Sequence, residues 1–452
     1  MTRFRKNLIL FALILALTFT LFSCMPKPEE TAEETETSWT GKEEFELPEL
    51  DTKLDDRYSN YESTLPLAFS QTLPAPSSAF EFEESDIGIT VKKYIGEDDI
   101  VMIPSEINEK AVTVIAENAF ADTHVRALYI PDSVTVIEKG ALADMDSLVT
   151  LRVPFIGGET ENHFGYAFGC SSYSEHTVKL PPQLDVLIVG QGSEIGENAF
   201  AGCKSLSAIV LPESIEKIGK FAFYECADLV YVSIGENVKT IDNFAFGYCS
   251  SLRNFDTKNA ETLGFGAFYE ANGLTSLTVP YVGGSATENR YIGYIFGAEL
   301  PDYNDEFTPH SLRRIKVTGS FNIPDRAFAG CAYIQNITLS EDISEIGIRA
   351  FYACRSLKSI TLPKSLKTIK PDAFFACDGL ESVEFNDQIE KIGMQAFFAC
   401  KSLNNIKIPS SVKEIEACAF ADCASLSSVN IGSDVKLGKD VFLNCPYNKG
   451  ID

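Results

Sequence analysis

The sequence predicts an α/β solenoid of about 14 rungs, mostly short parallel strands joined by short helical turns. Two observations predict it. Ala-Phe recurs at Ala119-Phe120, Ala167-Phe168, Ala199-Phe200, Ala222-Phe223, Ala245-Phe246, Ala267-Phe268, Ala327-Phe328, Ala350-Phe351, Ala373-Phe374, Ala396-Phe397 and Ala419-Phe420, with Leu142, Phe296 and Phe442 filling the gaps. These positions lie 22 or 23 residues apart except for intervals of 26, 28 and 32 in two places. The cysteines keep the same beat: Cys203, Cys226 and Cys249 are 23 apart, as are Cys331, Cys354, Cys377, Cys400 and Cys423. A fixed period of this length marks units that cannot bury their apolar face alone and do so by stacking.

One unit can be read from its cleanest copy, Leu357 to Cys377. Leu357, Ile360 and Leu362 end in a period-two alternation, the pattern of a short strand. Pro363 stops the ladder because it has no N–H to donate. Leu366 and Ile369 form a second apolar pair that turns inward on the return path. Phe374 and Cys377, three apart, share one face of a tight helical turn.

A longer repeat lies over the first. Leu148–Gly169 and Leu274–Gly297 resemble each other, and Phe168 to Phe296 and Phe200 to Phe328 both measure 128 residues. We read a duplicated block of five rungs carrying enlarged rungs near 152–190 and 278–318. Their extra residues include Phe155, Phe164, Tyr166 and Tyr173 in the first, and Tyr281, Tyr291, Tyr294, Tyr303 and Phe307 in the second. Two readings stand. Tyr166 and Tyr294 belong to binding loops on a rigid scaffold, or the rings staple each loop to the stack.

The ends differ from the middle. Arg3, Arg5 and Lys6 precede an apolar run, Leu8 to Phe22, too short to span a bilayer comfortably, so residues 1–23 read as a signal peptide. Leu21-Phe22-Ser23-Cys24 resembles a bacterial lipobox, which implies cleavage before Cys24 and lipidation of its thiol. Residues 24–80 read as an acidic tether: 25–60 hold twelve acids against four bases and few large apolar residues. Residues 81–118 read as a strand-rich N-terminal cap with the first strand, 119–442 as the solenoid and 443–452 as the C-terminal cap.

The period and the Leu-x-x-Ile-x-Leu core resemble leucine-rich repeats. The Leu-Pro-x-Ser and Ala-Phe-x-x-Cys elements are similar to the BspA-type (Treponema-like) branch of that family. The resemblance implies a right-handed superhelix. It also implies adhesion to host extracellular-matrix proteins or to other bacteria.

Charge and motifs narrow the function. The net charge is −26, and loss of residues 1–23 with their three bases makes it −29. Nucleic-acid binding is disfavoured, since phosphate recognition needs positive surface. No nucleophile elbow, phosphate-cradling loop or repeated acid/base pair is present, so no catalytic residue and no cofactor is expected. His124, His163, His176 and His310 lie at no ligand spacing and no Cys-x-x-Cys occurs, so no metal is expected. The repeating cysteines read as buried free thiols rather than bridges, because in-register neighbours point in parallel.

Arg313, Arg314 and Lys316 form a basic island suited to an acidic protein partner, or one that balances acids such as Glu381 and Glu384 along the stack. The expected function is therefore a bacterial lipoprotein, anchored at the outer membrane or cell surface, that binds protein partners. The alternative is a periplasmic scaffold for cell-wall or protein partners.

Overall fold

The computed structural model describes residues 69, 72–158 and 162–448, all within the second of two units, Leu47–Asp452. The signal peptide, Cys24, Trp39 and most of the tether lie outside the described residues. Residues 72–79 belong to the fold rather than the tether. The Ala75 N–H donates to Met102 O at 2.8 Å, and Ser77–Ala79 makes one turn into the first strand.

A first ladder contributes one strand per rung, fourteen among the described residues. Ile100–Met102, Ala127–Tyr129, Thr150–Val153, Val186–Val189, Ala208–Val210 and Tyr231–Ser233 form one parallel sheet. Asn254–Asp256, Ser276–Val279, Arg314–Val317, Asn336–Thr338, Ser359–Thr361 and Ser382–Glu384 form the next, and Asn405–Lys407 pairs with Ser428–Asn430. Register follows the repeat: Ile209 opposes Val232 and Ile360 opposes Val383. A one-residue slip would turn every inward Ile and Val to solvent, so the apolar column fixes the pairing.

The inward-turning second pair of each unit makes a second ladder of two-residue strands, such as Glu345–Ile346, Thr368–Ile369 and Lys391–Ile392. It is interrupted between Val136–Ile137 and Glu194–Ile195, and again between Thr262–Leu263 and Asn322–Ile323, where the enlarged rungs intervene. There five-residue 3₁₀ turns, Phe164–Phe168 and Ile292–Phe296, end on left-handed Gly169 and Gly297. Two short helices follow, α1 (His176–Lys179) and α2 (Asn304–Phe307).

The Ala-Phe-x-x-Cys segment closes as successive single turns. Alternate N–H groups stay within the rung, as in Cys226 N–H to Phe223 O at 3.2 Å. The others reach the next rung: Phe221 N–H to Asn243 O, Phe223 N–H to Ala245 O and Glu225 N–H to Gly247 O, at 2.8–3.1 Å. This alternation requires left-handed backbone immediately before the Ala and two residues after the Phe, and positive φ recurs at these places along the stack.

The phenylalanine column is the core. Phe200, Phe223 and Phe246 stack at 5.0 Å, and Phe351, Phe374 and Phe397 at 4.9 Å, all fully buried. Each such ring removes apolar area worth roughly 1.5–3 kcal/mol. Tyr94 of the cap strand Gly88–Tyr94 stacks on Phe120 at 5.6 Å, and Tyr447 meets Phe442 edge-on at 5.2 Å, so an aromatic ring closes each end of the column. The cap pairs Phe80–Ser85 with Gly88–Tyr94 antiparallel and joins Gly88–Tyr94 to Lys110–Ile115 in parallel. Among the described residues no helix is long and apolar enough to cross a membrane.

Candidate protein-binding site

Strand alternation sends every second residue of the first ladder outward. From Asp256 onward most of this column is exposed: Asp256, Lys316, Thr338, Thr361, Glu384, Lys407 and Asn430 change chemistry from rung to rung while the inward residues stay apolar. Arg314 and Lys316 lie in this exposed surface. Arg313 does not. It is buried, its guanidinium donates to the carbonyls of His310 and Leu312, and burial lowers its pKa. The basic island available to a partner is therefore Arg314 and Lys316.

Tyr166 and Tyr294 occupy equivalent places in the two enlarged rungs. A Cβ on Gly158 would sit 2.2 Å from the Tyr166 ring, and one on Gly284 would sit 2.7 Å from the Tyr294 ring. Both tyrosine rings thus press closely against a glycine, as a staple would, and both residues are half-buried. Tyr294 also lines a groove of about 280 Å³ with Asp242, Asn243 and Glu288. Of the other loop aromatics, Phe164 and Tyr281 are buried, whereas Tyr173 and Tyr303 are exposed.

The enlarged rungs bring together residues whose sequence spacing gave no signal. His176 of α1 is buried and accepts at Nε2 from the Gly165 N–H at 3.2 Å, while its Nδ1 lies 2.8 Å from Ala201 O and therefore donates there. His163 Nδ1 is 3.2 Å from His176 Nε2, and the Cys203 thiol sits 3.5 Å from His176 Nδ1. Burial, more than the neighbouring His163, lowers the His176 pKa to about 4. In the second block Asn304, 128 residues on, does the same work without a titrating ring. It accepts from the Gly293 N–H at 2.8 Å and donates to Arg326 O at 3.0 Å. Aligning the two blocks would have revealed the clamp.

The eleven described cysteines are all unbridged, ten buried and Cys418 half-buried. Burial pushes the Cys226 and Cys331 thiols up to about 12, so they are poor nucleophiles at neutral pH. Among the described residues no group of three His, Cys, Asp or Glu could hold a metal ion.

With the repeat and its outward face in view, the comparisons decide the family. The BspA type leucine rich repeat region (6 copies) matches residues 103–186, 185–289 and 321–449, more than half of the chain. The chain belongs to the BspA-type leucine-rich repeat family. No curated protein matches it.

Solved structures similar to this BspA-type chain include a leucine rich cell surface protein from Faecalibacterium prausnitzii, 24% identical over 80% of this chain and 96% of that one, with a TM-score of 0.32. A leucine-rich repeat protein from Bacteroides ovatus is 21% identical over 82% and 91%, with a TM-score of 0.30. The T. pallidum leucine rich repeat protein is 16% identical over 83% and 90%, with a TM-score of 0.19. Leucine-rich repeat solenoids are generally protein-binding scaffolds rather than enzymes. In this BspA-type solenoid the outward column from Asp256 to Asn430 is mostly exposed, as are Tyr173 and Tyr303 of the enlarged rungs.

Proposed function

We propose that this BspA-type protein is a lipoprotein, anchored through Cys24 at the bacterial cell surface, that adheres to host extracellular-matrix proteins or to other cells through its solenoid. One observation carries the binding part of the reading. The outward residues of the first ladder are exposed and varied along a rigid parallel sheet, whereas the inward residues are uniform. Stacking fixes the inward residues and leaves Arg314, Lys316, Glu384 and Lys407 exposed and available to match a partner. The Leu21-Phe22-Ser23-Cys24 run supports the anchor, and attached acyl chains would hold the chain at a membrane.

Two measurements test it. Palmitate labelling should be lost in Cys24→Ala, and membrane association that survives the change removes the anchor. Protease applied to intact cells should cleave the solenoid; protection would place it in the periplasm as an envelope scaffold.

A further inference from the structure

Away from the first ladder, on the face formed by the Ala-Phe turns, aromatic rings gather at the surface between residues 221 and 294. Phe221 and Phe244 stack at 5.5 Å, and Tyr224, Tyr248 and Tyr269 continue the cluster edge to face at 5.3 and 5.4 Å. All five are half-exposed or exposed, Tyr248 most. Contiguous exposed apolar surface of this kind marks an interaction site, and tyrosine is a favoured anchor at protein interfaces.

Their backbone carries an independent sign. Each rung needs left-handed residues at two fixed places. Elsewhere the first holds Asn, Asp, Gly or an unbranched chain such as Arg326, Arg349, Gln395 or Cys418, and the second holds Asp, Asn, Gly, Glu or an alanine such as Ala353, Ala376 or Ala399, but no aromatic ring. Here Phe221 and Phe244 fill the first and Tyr248 fills the second, with φ of 58, 54 and 59°. A bulky ring is disfavoured in left-handed backbone. The rings also cover backbone, Phe244 against Gly266 and Tyr224 against Gly247, yet they stay half in water, and strain kept on such side chains in consecutive rungs points to a function.

The charge around the rings names the partner. Glu225 and Glu270, both exposed, share the second left-handed position in this rung and the one two rungs on. Their carboxylates, after burial, help hold the Tyr224 hydroxyl at about 12 and raise the pKa of Tyr248 and Tyr269. At the edge of the cluster the Lys220 ammonium already lies over the Phe221 ring, 5.0 Å from its centroid. Ring faces flanked by carboxylates attract cations by quadrupole and by charge.

We propose that this turn face docks a lysine- or arginine-bearing segment of a protein partner, with aliphatic stems on the Phe221, Phe244 and Tyr248 rings and cationic heads beside Glu225 and Glu270. The proposal rests on the reading of the solenoid as a protein-binding scaffold.

The test titrates the full chain, in 150 mM salt, against a fluorescein-labelled nonapeptide (Lys-Gly-Arg)₃ followed by anisotropy. Its controls are peptides with glutamine or glutamate in place of the bases. Only the basic peptide should bind. Phe221→Asn/Phe244→Asn and Tyr248→Asn, which suit left-handed backbone, should each weaken it about tenfold or more while leaving the melting temperature within about 4 °C of the parent. Glu225→Gln/Glu270→Gln, at exposed positions that do not threaten folding, should weaken it several-fold. The distant, equally charge-removing Glu97→Gln/Asp99→Asn should leave it unchanged. Absence of basic-peptide binding, equal binding of the neutral peptide, aromatic variants that bind like the parent, or equal losses from the two acid pairs would each overturn the proposal. A parent chain that captures no purified matrix protein would remove the adhesion reading. One that captures them undiminished through Phe221→Asn/Phe244→Asn removes this face alone.

Discussion

The Cys377 thiol donates to the carbonyl oxygen of Phe351, one rung earlier, at 3.1 Å. The same oxygen accepts the Cys354 N–H at 3.2 Å, so one carbonyl ties its own turn and receives the next. The bond repeats from Cys226 to Phe200, Cys249 to Phe223, Cys354 to Phe328, Cys400 to Phe374 and Cys423 to Phe397, at 3.1–3.2 Å. Where cysteine fills the column, its side chain is therefore apolar in bulk yet still donates.

That combination orders two substitutions. Cys377→Ala loses the donor and leaves a small void, and should cost about 1–2 kcal/mol. Cys377→Ser keeps a donor within reach of Phe351 O and should cost less. Urea midpoints of the two variants check the order. A serine worse than alanine would mean that the cysteines act only as apolar filler.

Phe374 sits between two parallel rings at 4.9 Å, whereas Phe442 has one in-column neighbour, Phe420, at 5.8 Å. Phe374→Ala should destabilise by about 3–5 kcal/mol. Phe442→Ala should cost clearly less, because one side of its cavity lies at the end of the stack. Equal costs, by thermal or urea unfolding, would show that the column does not transmit packing along the rungs.

Arg313 and its neighbours separate a structural arginine from docking ones. Arg313→Ala removes a buried side chain together with its hydrogen bonds to the His310 and Leu312 carbonyls and should cost about 1–3 kcal/mol. Arg314→Glu/Lys316→Glu changes exposed side chains and should alter stability by no more than about 0.5 kcal/mol. It should nonetheless lower capture of an acidic partner, read by surface plasmon resonance. Unchanged capture would retire the basic island as a docking point.

What could be read from the sequence follows from what repeats. The rung count was legible because Phe, Ala and Cys recur in fixed columns, and each column position has one strand in the first ladder. The places where the second ladder breaks were legible as the long Phe-to-Phe intervals. Arg313 misled because an arginine is ordinarily a surface residue, and its burial depends on partners such as the His310 and Leu312 carbonyls, which the return of the chain from α2 brings to it. The His163–His176 contact was hidden because thirteen residues of irregular backbone separate the rings. Left-handed Phe221, Phe244 and Tyr248 carry no composition signal at all. Only stacking shows that their rungs demand the geometry that Asn and Gly supply elsewhere.

The His176 clamp makes one enlarged rung sensitive to acid and leaves its duplicate indifferent. His163, Cys170 and Cys203 surround the ring, and Glu175 and Lys179 lie on the same short stretch. In the unfolded chain His176 takes a proton near pH 6.5; in the fold, burial delays this to about pH 4. Between those values the unfolded state binds more protons, so stability falls as pH drops through the window and is fully restored above it. The loss reaches about 3 kcal/mol at the acid end. Hydrogen exchange should therefore quicken around residues 163–180 from pH 7 to pH 4.5, after correction for intrinsic rates, with less change around 291–308, where Tyr291 and Asn304 replace the two histidines. His176→Asn, borrowing the second block's solution, should flatten the response of the first. If both blocks loosened alike, or if His176→Asn left the pH dependence intact, the carboxylates of this acidic chain rather than the buried imidazole would govern its acid stability.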